Sequence, residues 1–225
     1  MAKKKNELPQ IVSERKWLIE RNELLKKEKE LTRQQDVLNA ERRRLPMVEV
    51  KEDFFFVGST GKLGLLDLFD DRKQLIVYSA MLEPGTSPCQ GCSMVMDNIG
   101  HNLAHVKARD TNFVFTSPAS QEEINALQEK MEWEAPWYTD IDRKFADTFD
   151  VGKGFGVNVF IRDEKDCIYR TYFTTDRGGE LFDTNFRLLD LTPYGRQEKW
   201  EDSPKGWPQT EPYIWWRLHN DYGNQ

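Results

Sequence analysis

The chain has 225 residues, 38 of them acidic against 32 basic, which leaves a net charge of -6 at neutral pH. That balance disfavours a broad phosphate-binding face and argues against nucleic acid as a partner, and three cysteines are too few for a disulfide framework. There is no run of about 18 apolar residues, and Met1-Ala2-Lys3-Lys4-Lys5 leads into no apolar stretch of signal-peptide type. No membrane association is therefore expected, and the expected address is the cytoplasm.

Residues 1–45 read as one long amphipathic helix. Gln10 to Arg44 contains no Gly or Pro and is dense in Glu, Lys, Arg, Leu and Gln, all good helix formers. Trp17, Leu24, Leu31 and Leu38 recur every seven residues, with Leu18 and Leu25 widening the first half of a narrow stripe on an otherwise charged surface. Such a stripe needs a partner, either its own domain or a second chain. A helix of about 35 residues spans some 50 Å, which favours a homodimer.

Residues 46–225 read as a single α/β domain. Met47 to Val50 and Phe54 to Val57 are short extended segments, and Leu63 to Phe69 suggests a helical turn. A buried strand from Leu75 to Met81 precedes a helix expected to run to about Val106. Asn112 to Thr116 is the next strand, and Ser120 with Glu123 forms a capping box for a helix through Met131. Strand, helix and strand in this order imply a parallel crossover. Gly156 to Arg162 and Cys167 to Thr175 flank Asp163-Glu164-Lys165-Asp166 as an antiparallel hairpin, followed by a helix or extended return over Glu180 to Leu191. The aromatic cluster from Pro212 to His219 has helical spacing and suggests a helix packed over the sheet. The expected architecture is a thioredoxin-like central mixed sheet flanked by helices, with the long helix in front.

Chemistry concentrates at Pro88-Cys89-Gln90-Gly91-Cys92. A Cys-x-x-Cys pair between a strand and a helix, in a chain poor in cysteine, points to a redox dithiol. The first helical turn offers free N–H groups and the positive end of the macrodipole, which stabilise a thiolate. Cys89 is then the attacking sulfur and Cys92, one turn in, the resolving one. Cys167 reads as a small strand residue.

Several further segments, namely Leu75-Ile76-Val77-Tyr78, Cys89 with Cys92, Asp97-Asn98, His105, Trp133, Pro136-Trp137, Val159 to Asp163, Arg177-Gly178, Leu189 to Pro193 and Trp216 to His219, together resemble the thioredoxin-like domain-of-unknown-function 899 family. The likeness runs from about Leu45 to Gly223, and members are labelled dithiol-disulfide oxidoreductases. It implies a thioredoxin-like fold and a redox motif, with no settled substrate. The loop from Glu83 to Pro88 is shorter than the family's usual one. Where thioredoxins carry a cis-proline before the third core strand, this chain has Gly154-Phe155-Gly156-Val157, so peptide exchange of the ordinary thioredoxin type does not follow from the fold. Phe155 and Arg177, the latter at the Gly178-Gly179 turn, are the candidate substrate-binding residues.

Competing chemistries fit less well. Cys89, Cys92, His101 and His105 mimic a zinc pattern, yet a continuous helix from Cys92 to Val106 would place His101 roughly 13 Å from Cys92, too far for a shared ion, and only a break at Gly100 would bring them together. No metal and no cofactor are expected. Thr86, three residues before Cys89, matches part of a peroxidatic motif whose companion proline is missing. The expected activity is thiol-disulfide exchange on an unidentified thiol or disulfide substrate, the alternatives being a non-catalytic binding or adaptor protein on the same fold and a peroxiredoxin-like peroxidase.

Overall fold

The computed structural model describes residues 8–99 and 103–223. Its contacts divide into two compact units, Met1–Pro46 with Leu189–Pro212, and Met47–Leu188 with Tyr213–Gln225.

In the first unit the helix α1 runs over Glu14–Arg42, started by Ser13, whose hydroxyl accepts the Lys16 N–H at 3.4 Å. None of its residues is buried, and the seven-residue column Trp17, Leu24, Leu31 and Leu38 is 43 to 67% exposed. The second segment of this unit is irregular and is held by polar contacts. Arg196 pairs with Asp190 at 2.8 and 2.9 Å and lies over the Trp200 ring, while the buried Glu198 accepts the Trp200 indole N–H.

The second unit is built on an eight-stranded sheet in the order β1-β8-β7-β4-β5-β6-β2-β3. The strands are β1 Val48–Glu49, β2 Phe55–Gly58, β3 Gly61–Gly64, β4 Gln74–Ser79, β5 Thr111–Ser117, β6 Trp137–Asp140, β7 Gly156–Arg162 and β8 Ile168–Thr174. β4 pairs in parallel with β5, β7 runs antiparallel to β4, and β8 runs antiparallel to β7. The helices are α2 Gln90–Ile99, α3 Leu103–Lys107, α4 Gln121–Met131, α5 Lys144–Thr148 and α6 Thr184–Leu189.

Alternation along the central strands divides the core into two layers. Tyr78, Phe113, Phe115 and Val157 face the layer completed by Val95 and Met96 of α2, Leu103 of α3 and Ile124 of α4. Leu75, Val77, Val114 and Phe160 face the opposite layer, an aromatic cluster with Phe54, Phe56, Phe145 and Phe149. The rings of Phe145 and Phe149 lie 4.8 Å apart and those of Phe149 and Phe160 5.2 Å apart, mostly tilted or edge-on as ring quadrupoles prefer.

The parallel β4-α2-β5 crossover, the β7-β8 hairpin and the closing α6 form the thioredoxin-like core that the sequence order implied. Two features depart from the sequence reading. Residues 137–148 hold β6 and α5, which no sequence pattern indicated, and these elements extend the sheet beyond the core. Pro212 to His219 is not a helix but a series of turns. Tyr213 takes a left-handed backbone with φ 67°, and the Arg217 guanidinium bonds the carbonyls of Ile214 and Trp216 at 2.8 and 2.6 Å, in place of a helical ladder. Smaller differences lie at Leu63, which belongs to the β2-β3 hairpin with the turn confined to Asp67–Phe69, and beyond Cys92, where α2 is followed by a separate α3.

Candidate active site

Cys89 stands immediately before α2, and its carbonyl accepts the Ser93 N–H at 2.9 Å, the first bond of the helix. Its sulfur receives the backbone N–H groups of Gly91 and Cys92, so the thiolate takes the place of an N-cap side chain. The side chain is half-buried, whereas Cys92 is 4% exposed. The Cys92 thiol donates to Cys89, and this bond is the largest of the influences that lower the Cys89 pKa to about 6, against the opposing effect of burial. Cys92 is displaced upward, first by that same bond to Cys89 and then by burial.

Two further donors address Cys92. The Met81 N–H lies 3.4 Å from its sulfur and the Tyr78 hydroxyl 3.7 Å. Tyr78 is buried at the end of β4, and burial holds its phenol well above the ordinary range, so it is a donor throughout the working pH range. Sequence reasoning treated Tyr78 only as part of an apolar strand. Its signal was a phenol hydroxyl in a largely apolar run that leads to the cysteines.

The dithiol forms the floor of a cleft of about 290 Å³. Phe155 and Arg177 both line it, together with Phe186, Tyr213 and Trp216. Phe155 stacks on Tyr78 at 5.5 Å with the planes 9° apart, and its carbonyl accepts the Thr175 hydroxyl at 2.7 Å. Arg177 is exposed and bonds Glu180 at 2.9 and 3.5 Å. Two glycines allow the walls to close. A methyl group at Gly91 would stand 2.6 Å from the Trp216 ring, and one at Gly179 would stand 2.4 Å from the Phe155 ring.

The turn segment carrying Trp216 is fastened to α2. Asp97 accepts the Trp133 indole N–H at 2.7 Å and lies 2.7 Å from His219 Nδ1, while Leu218 packs on the core layer below. Three residues that looked separate in the sequence thus form one clasp. Thr86 is exposed and donates to the Glu83 carbonyl at 2.8 Å. Cys167 lies at the start of the β8 hairpin arm, where its N–H donates to Asp163 at 3.0 Å. His101 lies outside the described residues, and His105 is exposed on α3. Among the described residues no group of three His, Cys, Asp or Glu side chains could hold a metal ion.

The strand order and the helix that follows β4 define a thioredoxin-like protein with a paired dithiol at the start of that helix. The chain belongs to the family described as "Bacterial protein of unknown function (DUF899)", which matches residues 6–222. No curated protein matches it in sequence. Similar solved structures include the exposed lipoprotein thioredoxin of Streptococcus pneumoniae, at 14% identity and TM-score 0.43, covering 56% of this chain and 90% of that one. The PrxQ protein of Xylella fastidiosa matches at 14% identity and TM-score 0.43, covering 64% of this chain and 94% of that one. A yeast mitochondrial 1-Cys peroxiredoxin matches at 14% identity and TM-score 0.42, covering 65% and 78%.

Proposed function

We propose that this protein exchanges thiols and disulfides, with Cys89 as the attacking sulfur and Cys92 as the resolving one. The observation that supports this is the contrast within the pair: a half-buried Cys89 capping α2, and a buried Cys92 one turn further on that donates to it. An adaptor without redox chemistry has no need for either the exposure of Cys89 or its polarised sulfur. Thr86, turned to the Glu83 carbonyl, lends no support to a peroxidatic role.

In the first step the Cys89 thiolate attacks a disulfide R–S–S–R. A Cys89–S–R bond forms, the R–S–S–R bond breaks, and one RS⁻ leaves and takes up a proton. Cys92 then gives its proton to solvent and attacks the Cys89 sulfur, releasing the second RS⁻ and leaving an intramolecular disulfide. The substrate gains two electrons and the dithiol loses two. Closing the bond requires the sulfurs to reach about 2.05 Å. Tyr78 and the Met81 N–H stabilise the Cys92 thiolate that must form on the way. In the reducing cytoplasm that the composition suggests, the pair would rest reduced and act as a reductant.

The experiment is trapping. Reduced Cys92→Ser protein mixed with a disulfide should hold one mixed adduct per chain, located on Cys89 by peptide mass spectrometry, and Cys89→Ser should hold none at this loop. An adduct confined to Cys167 would sink the assignment.

A further inference from the structure

Resting on the exchange reading, we infer that the substrate is a small, largely apolar disulfide that enters the aromatic cleft whole, and not a disulfide within a polypeptide. A polypeptide disulfide brings two stretches of main chain to the attacked sulfur, and an extended strand needs a free lane of nearly 5 Å beside whatever it pairs with. The flanks of the dithiol are taken. The Trp216 ring lies so close to Gly91 that no side chain could fit at that position, and the Phe155 ring fills the space over Gly179.

What remains is a half-open cleft. At about 290 Å³ it stands at the small end of the roughly 300–1,000 Å³ of ligand sites. Ring faces make much of its wall, Phe155 stacked on Tyr78 and the Phe186, Trp216 and Tyr213 series, with the Phe186 and Trp216 centroids 5.9 Å apart and those of Tyr213 and Trp216 4.5 Å apart, while Arg177 and the carboxylates of Asp176, Glu180 and Asp183 line it as well. Such walls reward a flat or apolar body by area and by ring stacking. The clasp of Asp97, Trp133 and His219 holds the Trp216 segment in place from behind.

The test compares two disulfides with the reduced full-length protein. Rates of reduction of dipyridyl disulfide and of insulin are each divided by the rate for free dithiothreitol with the same disulfide, which removes the leaving-group contribution. The normalised rate for the dipyridyl probe should exceed that for insulin by at least about tenfold, the scale on which pocket contacts discriminate. Trp216→Ala should lower the first, raise the second and narrow the ratio. Insulin reduced as fast as the small probe by the wild-type protein would overturn the inference and leave the exchange reading standing. Failure of Cys89 to react with either probe would overturn both.

Discussion

Three groups favour the Cys89 thiolate, the Cys92 thiol and the backbone N–H groups of Gly91 and Cys92, and only the thiol can be removed by substitution without touching the backbone. Alkylation of Cys89 in the wild-type protein should therefore follow a pH curve with its midpoint near 6. Cys92→Ala should move the midpoint upward, because the thiolate loses its strongest donor, and Cys92→Ser should move it less, because the hydroxyl still donates. Unshifted curves would mean that the helix end alone sets the reactivity. The same displacement carries over to folding. A thiol whose native pKa lies below its unfolded value stabilises the fold at high pH, and that share is lost as pH falls through about 6. Cys92, displaced upward, works in the opposite sense and loses its share on the alkaline side. Denaturant titrations should thus show a loss on acidification that is weaker in Cys89→Ser. Gly91 gives a second, purely steric prediction. Gly91→Ala drives a methyl group against the Trp216 ring and should cost about 1–3 kcal/mol, a penalty that Trp216→Ala relieves in the double variant.

Among the elements, α4 illustrates a start signal that works as the local rule says. The Ser120 hydroxyl accepts the Glu123 N–H at 3.3 Å, and the Glu123 carboxylate accepts the Ser120 N–H at 2.9 Å. Ser120→Ala should cost about 1 kcal/mol in thermal or chemical denaturation. That box, the hairpin around 163–166 and the apolar runs of β4 and β5 were legible because each is decided by residues within a few positions. β6 was not. It has four residues, and its last, Asp140, is buried to accept the N–H groups of Phe145 and Ala146 at 3.1 and 2.9 Å, a role that looks like an exposed loop residue in a sequence. The C-terminal turns were misread for a related reason. Their aromatic spacing fits a helix, but the bonds that fix them join Asp97 to His219 and the Trp216 ring to Gly91, across most of the chain. At the site, likewise, the cysteines could be read from spacing alone, whereas Tyr78 and Trp216 acquire their meaning only from the fold.

For the whole molecule the open question of assembly rests on α1. Its leucine and tryptophan column is exposed, and we propose that a second copy covers it. The full-length protein is expected to be a dimer at micromolar concentration by light scattering, and a form lacking residues 1–44 a monomer with Cys89 reactivity intact. A monomeric full-length protein would refute the dimer. The indole of Trp216, resting on the peptide between two sulfurs, has one more consequence. Both sulfurs line the same cleft as its ring, so making or breaking the sulfur-sulfur bond should change its emission, and the protein should report its own oxidation state optically, without a label. Trp216→Phe should silence most of that signal, although six other tryptophans remain in the chain.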